Sequence, residues 1–137
     1  MVADKKMVVR GSTGRVLGLI VGDLIMFGLF VALGRRSHNE SVSVGEIVTV
    51  AAPFAIGWLV VAPWCKLFRP EIYGNPKLAL QRTALAWTLA APLGLALRTV
   101  VWGREFKPAF AITTYIFNLL LLLVWRGWAA RKMRKIG

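Results

Sequence analysis

The sequence predicts an all-α integral membrane protein, a bundle of four transmembrane helices with both termini on the inner (cytoplasmic) side. Three observations lead to this fold class. The chain has 137 residues, and 57% of them are hydrophobic, a larger share than in a typical soluble domain. Its mean hydropathy is +0.61. Four apolar stretches are each long enough to cross about 30 Å of hydrocarbon as a helix. The 18 Lys and Arg residues lie mostly between these stretches and at the chain ends.

The first predicted helix covers residues 16–33 and follows a basic leader, residues 1–15. At 1.5 Å per residue this helix is about 27 Å long, and Asp23 is its one charged residue. An aspartate at the centre of a membrane helix costs about 2.5–3.5 kcal/mol, whereas each Leu, Ile, Val or Phe returns about 0.3–0.6 kcal/mol. The many large apolar residues outweigh Asp23, so the segment is predicted to insert.

The second and third predicted helices contain prolines and small residues. The second covers residues 47–68, and Pro53 and Pro63 predict a kink in it. A loop rich in turn residues leads to the third helix, residues 78–101. Small residues recur at every fourth position of this third helix: Ala86, Ala90 and Gly94. Such spacing favours close packing against another membrane helix.

The fourth predicted helix covers residues 109–128 and leads into a basic tail, residues 129–137. The distribution of basic residues predicts the orientation of the bundle. Thirteen of the 18 Lys and Arg residues lie in the leader, the 66–82 region and the C-terminal part from Arg126, and five lie on the other side. Because positively charged segments stay on the cytoplasmic side, both termini are predicted to be inside.

Asp23 needs a polar partner from a neighbouring helix, since an isolated charge inside a membrane is costly. Counting residues from the inner boundary places one polar residue of each helix at similar depths of about 10–15 Å: Asp23, Trp58, Thr88 and Asn118. Arg82 and Arg126 lie near the inner edge, and either side chain is long enough to reach Asp23. The predicted partners are therefore Arg82, Arg126 or Asn118.

Two interpretations of Asp23 follow. In the structural one, the carboxylate fixes helix packing through a basic or amide partner. In the functional one, it is a proton or cation site, as intramembrane acids often are. We favour the structural interpretation, because the sequence places no second acid or histidine at the same depth for a proton relay.

Charged residues also cluster on the predicted outer side. Arg35, Arg36 and His38 follow the first helix in the segment GRRSHNE. Two arginines and a histidine suit a phosphate or carboxylate, but a solvated turn at the lipid headgroups is the favoured interpretation. Arg98, near the outer end of the third helix, is predicted to pair with Glu46 at the start of the second.

The sequence contains no pattern typical of an active site. It has one cysteine, Cys65, and one histidine, and it lacks paired carboxylates, a Ser–His–Asp set and a phosphate-binding glycine loop. No enzymatic activity, metal or cofactor is predicted, although a bound lipid or pigment stays open. Nucleic-acid binding is disfavoured, because the basic residues flank apolar segments and suit a membrane surface better.

Five motifs in this order resemble the family known as domain of unknown function 3054: GD at Gly22–Asp23, GRRSH at Gly34–His38, PFAIGWLVVAPW at Pro53–Trp64, APLGLALR at Ala91–Arg98 and WRGW at Trp125–Trp128. The resemblance extends from about Leu17 to Trp128. It implies a small four-helix membrane protein and no particular activity. It also implies which positions to test first: Asp23, Arg35, Arg36, Trp58, Trp64, Pro92 and Arg98.

The expected role is a non-enzymatic structural or accessory subunit that packs with other membrane subunits or with itself. The alternative is a small dimeric transporter that uses Asp23 as its proton or cation coupling site. The expected location is a bacterial inner membrane, or an organellar inner or thylakoid-type membrane. Expected partners are membrane lipids, with anionic headgroups at the basic tail.

Overall fold

The computed structural model describes residues 2–37 and 43–136, with side chains for residues 13–36 and 43–133. These parts of the chain form five helices and no strand. The bounds of the helices are α1 Val2–Ser37, α2 Val44–Trp64, α3 Pro70–Tyr73, α4 Pro76–Val100 and α5 Pro108–Ile136. The prediction of an all-helical chain is confirmed.

Four of the helices are long and apolar enough to cross a membrane, as the sequence predicted. The apolar parts are Thr13–Arg36, Val44–Trp64, Pro76–Val100 and Pro108–Met133. Two helices extend well beyond their predicted bounds, since α1 includes most of the basic leader and α5 most of the basic tail. Lys, Arg, Met and Ala are good helix formers, and adding residues to an existing helix is easier than starting one.

Side-chain caps define where α2 and α4 begin. The hydroxyl of Ser43 accepts a hydrogen bond from the Glu46 backbone N–H at 3.2 Å. The side-chain carbonyl of Asn75 accepts one from the Leu78 N–H at 3.3 Å, and Pro76 occupies the first helical position. Serine and asparagine are favoured at these positions because they satisfy N–H groups that have no partner within the helix.

The end of α2 is a Schellman motif, and it stops the helix four residues before the predicted end. The Lys66 N–H donates to the Pro63 carbonyl at 3.0 Å, and the Leu67 N–H donates to the Ala62 carbonyl at 3.2 Å. Lys66 has φ +61° and is the one non-glycine residue with a positive φ in the described chain. Glycine is usual at this position, so the turn places a lysine where a side chain is unfavourable.

The four long helices pack as antiparallel neighbours, with α1 and α4 each lying against both α2 and α5. Contacts between α2 and α4 are close at small residues: a Cβ added at Gly57 would lie 3.0 Å from the Ala90 carbonyl, and one added at Gly94 would lie 2.6 Å from the Phe54 ring. Ala86 and Ala90 are fully buried. The predicted stripe of small residues on the third helix is therefore used inside the bundle.

Aromatic side chains fill the centre of the bundle. Phe27 lies between Trp58 and Trp87, with ring centroids 6.1 and 5.5 Å away, and Phe54 packs on Trp87 at 6.3 Å. All four rings are buried. Outside this core the long helices present Leu, Ile, Val and Phe outward, which is the surface expected of helices that face lipid.

Because four antiparallel helices run up and down, the beginning of α1 and the end of α5 lie at the same end of the bundle. We call this the termini end, and it also contains the connection from Cys65 to Asn75. We call the other the loop end; it contains residues 101–107.

Candidate functional site, a buried carboxylate between three helices

The site forms around Asp23, which α1 presents to the inside of the bundle and which is fully buried. The preceding residue, Gly22, makes room for it: a Cβ at this position would overlap the indole of Trp125 on α5. The glycine thus lets Trp125 lie directly against α1. Both residues of the GD motif therefore serve one contact, in which Gly22 accommodates the indole and Asp23 accepts its N–H.

Arg126 binds the Asp23 carboxylate in a bidentate manner. Its Nε donates to Oδ1 at 2.9 Å, and its Nη2 donates to Oδ2 at 2.6 Å. Both side chains are excluded from solvent. A paired guanidinium and carboxylate in this parallel arrangement form strong, geometrically specific hydrogen bonds. Of the three partners predicted for Asp23, the structure places Arg126 against it.

Two indoles complete the surroundings of the carboxylate. Trp58 Nε1 on α2 donates to Oδ2 at 2.9 Å, and Trp125 Nε1 on α5 donates to Oδ1 at 3.0 Å. Each carboxylate oxygen therefore accepts one bond from the guanidinium and one from an indole. An ionised carboxylate offers about four acceptor positions, and here all of them are used.

The guanidinium of Arg126 also holds the connection after α2. Its Nη1 donates to the Leu67 backbone carbonyl at 3.0 Å, and its Cζ lies 5.2 Å from the centre of the Phe68 ring. The Schellman turn at Lys66 is what brings this carbonyl to the termini end of the bundle. One arginine therefore joins α1, α5 and the turn beyond α2.

This geometry makes Asp23 and Arg126 a closed pair within the bundle. The two charges neutralise each other, and the buried carboxylate has no acceptor position left for a proton donor, a cation or a substrate. Removing one partner would leave the other charge buried and uncompensated, which is strongly unfavourable. Residues 23, 58, 125 and 126 thus fix the relative positions of three helices.

The other residues predicted near Asp23 lie elsewhere. Arg82 is half-buried and lies near the thiol of Cys65 instead. Asn118 is fully buried, but its amide donates to the Thr114 carbonyl of its own helix at 2.9 Å. Thr88 faces outward and bonds the hydroxyl of Tyr115 at 2.9 Å. Of the predicted polar layer, Asp23 and Trp58 are in direct contact and the other two residues do not join them.

At the loop end, the ion pair of Glu46 differs from the predicted one. Glu46 pairs with Arg35 at 2.9 Å, and the described residues show no ion pair between Glu46 and Arg98. The last turn of α1 lies beside the first turn of α2, so Arg35 is the nearer cation. Arg98 stacks its guanidinium over the Phe110 ring at 4.0 Å. Arg36 is exposed, and His38 lies outside the described residues.

Sequence reasoning missed Trp125, the third donor to Asp23. It sits directly before Arg126 in the WRGW motif, and Gly22 sits directly before Asp23. These two neighbouring pairs on facing helices were the available signal: a glycine next to a buried acid, and a tryptophan next to a buried arginine.

The described part of the chain shows no cluster of three metal-ligating side chains. Burial raises the pKa of the Cys65 thiol, and nearby Arg82 offsets this in part.

The fold and the site define a class of small all-helical protein, with four helices able to span a membrane and a closed carboxylate–guanidinium pair among them. The chain belongs to the family described as Protein of unknown function (DUF3054), whose model matches residues 20–129. The matched range includes all four residues of the site. No curated protein and no solved structure is significantly similar to the chain.

Proposed function

We propose that this protein is a non-enzymatic integral membrane protein that serves as a structural or accessory subunit. The observation that carries the proposal is the saturated Asp23 site: the most unusual group in the membrane-length helices holds the bundle together and offers nothing to a substrate. The apolar outer surface of the four helices supports their placement in a bilayer. On the positive-inside rule, the termini end faces the cytoplasm of a bacterium or the equivalent side of an organellar inner or thylakoid-type membrane.

A second feature supports association with other subunits or with another copy. Gly14 and Gly18 lie one turn apart on α1, and a Cβ at either position would meet nothing within 4 Å. Their exposed neighbours on this helix include Leu17 and Val21, at 57% and 54% exposure. Gly22, the next in the series, is covered by Trp125. Small residues on an open helix face allow another helix to approach closely.

The experiment is to purify the protein in a mild detergent and to measure the mass of the protein component. The proposal expects a homo-oligomer or a co-purifying membrane protein. Gly18→Leu should lower the mass to that of a monomer, because a large side chain would fill the open face. Ala96→Leu is the matched control, since it places the same leucine side chain at an exposed position of α4. A monomer without a partner from the unaltered protein would contradict the proposal.

The alternative role of Asp23, as the coupling group of a small dimeric transporter, finds no support in the geometry of the site. A coupling carboxylate must exchange protons or ions with water during transport. Asp23 is fully buried and already accepts four hydrogen bonds. Proteoliposomes that show a proton or cation flux, and lose it in Asp23→Glu while the protein stays folded, would reverse this preference.

A further inference from the structure

The end of α2 and the connection that follows it form an open cavity at the termini end of the bundle. Pro63, Trp64, Lys66 and Arg69 line an open space of about 320 Å³. Two of the four lining residues are cations, and none is an acid. Glu71, the nearest acid in the sequence, does not line the cavity.

The two cations have side chains free to bind an anion. Lys66 and Arg69 are exposed, and among the described residues neither forms an ion pair with a carboxylate. Arg69 has the planar donor arrangement that suits a phosphate. Lys66 is held in the left-handed conformation by the Schellman turn, so its side chain leaves the backbone in a direction that an ordinary helical residue does not allow. An unfavourable backbone conformation that a protein keeps at an exposed cation is an indicator of a functional site.

The position of the cavity along the bundle indicates the class of ligand that it suits. It lies around the last two residues of the apolar segment Val44–Trp64 and the first residues beyond them, which is the level where the hydrocarbon of a bilayer ends and the phosphates begin. Trp64 is 84% exposed, and a tryptophan at this level is typical of the membrane interface. We propose that Lys66 and Arg69 bind the phosphodiester of an anionic phospholipid, with the indole of Trp64 against the upper part of its acyl chains. This site is separate from the basic tail.

The inference rests on the membrane placement proposed above, and it is independent of subunit association. Its test uses the full-length protein in detergent, titrated with phosphatidylglycerol and, separately, with phosphatidylcholine, while native mass spectrometry counts the bound lipids. We expect one phosphatidylglycerol to bind before all others. The double variant Lys66→Gly/Arg69→Gln should weaken this first binding event by at least about tenfold, because it removes both charged donors to the phosphodiester. Glycine suits the left-handed position, so this variant keeps the turn.

Two controls make the result specific. Arg131→Gln/Lys132→Gln removes the same charge from the exposed tail of α5 at the same end of the bundle, and it should change the first binding event less than twofold. Lys66→Arg/Arg69→Lys keeps both charges and should retain binding. Equal losses in the two charge-removing variants would overturn the proposal in favour of diffuse attraction. Equal binding of phosphatidylcholine, or displacement of the first lipid by millimolar inorganic phosphate, would also overturn it.

A final measurement separates this inference from the membrane placement. Protein reconstituted with phosphatidylcholine vesicles should float with them in a density gradient, because its apolar surface alone drives insertion. Failure to float would contradict the membrane placement. Normal flotation without a preferred phosphatidylglycerol would contradict the lipid site alone.

Discussion

Replacing Asp23 and Arg126 singly and together tests whether this pair stabilises the bundle. In Asp23→Asn, Arg126 becomes a buried cation without a counter-charge, and its remaining acceptors are the asparagine carbonyl and the Leu67 carbonyl. The NH₂ group of the asparagine takes the place of one carboxylate oxygen. It therefore faces the guanidinium donor and the indole donor that this oxygen accepts from in the unaltered protein. In Arg126→Gln, Asp23 stays buried with the two indole donors and without a counter-charge.

The expected magnitudes follow from these contacts. Breaking one side of a buried ion pair costs about 3–5 kcal/mol, and we expect each single variant to lose at least about 3 kcal/mol of unfolding free energy. In Asp23→Asn/Arg126→Gln both charges are gone, and the neutral amides can still bond to each other and to the indoles. Hydrogen bonds between membrane helices contribute about 0.6–1.7 kcal/mol each. The double variant should therefore cost less than the sum of the single ones, with a coupling of at least about 2 kcal/mol.

The assay is equilibrium unfolding in mixed micelles of a mild detergent and sodium dodecyl sulfate, followed by tryptophan fluorescence. The six tryptophans include Trp58 and Trp125, which touch the carboxylate directly. Asn118→Leu is the control, because Asn118 is a buried polar residue on the same helix as Arg126 whose Oδ1 has no hydrogen-bond partner among the described residues; its loss should be small. Single variants that lose less than about 1 kcal/mol, or free energies that add within about 0.5 kcal/mol, would refute the reasoning.

Three further predictions concern other parts of the molecule. Gly94→Ala should lower the unfolding free energy by about 1–3 kcal/mol, because the new Cβ would lie 2.6 Å from the Phe54 ring and 3.0 Å from the Phe54 Cα. Gly28→Ala is the control and should lose nothing, because its new Cβ would lie at an ordinary contact distance, 3.6 Å, from the Ile47 side chain. An equal loss in both variants would exclude the packing explanation. Maleimide labelling of Cys65 should be slow in the folded protein and fast after denaturation. Burial raises the pKa of the thiol, and this lowers the fraction of reactive thiolate at a given pH. Complete labelling of the folded protein within minutes at pH 7 would contradict the buried position. Cysteines introduced by Ser12→Cys and Gly137→Cys in a Cys65→Ala background should both react with an impermeant reagent added on the cytoplasmic side. Labelling of the two cysteines from opposite faces of the membrane would contradict the antiparallel four-helix topology.

Hydrophobicity alone was sufficient to predict the four long helices, because each apolar stretch is as long as a bilayer is thick. It was not sufficient for the ends of the helices. The end of α2 depends on the backbone conformation of Lys66, a residue whose type argues against the left-handed conformation. Most of the basic leader and most of the tail are helical because they continue existing helices, a context that their own composition does not reveal.

The site was partly predictable for a similar reason. The depth of Asp23 and the reach of Arg126 follow from counting residues along antiparallel helices, which placed Arg126 among the candidates. Counting gives no rotation about the helix axis, so it could not separate Arg126 from Arg82 or Asn118. Nor could it show that Thr88 faces outward while Trp58 faces inward. The pairing of Arg35 with Glu46 depends on which helix ends are adjacent, and this follows from packing.

The distance along the chain between the two charged partners has a consequence for biogenesis. Asp23 and Arg126 are 103 positions apart, so at synthesis rates of about 5–20 residues per second the acid is made some 5–20 s before its counter-ion. During that interval the first helix carries an unmatched carboxylate, and a nascent chain stalled before the last helix cannot close. A chain that ends before α5 therefore keeps Asp23 without its counter-charge.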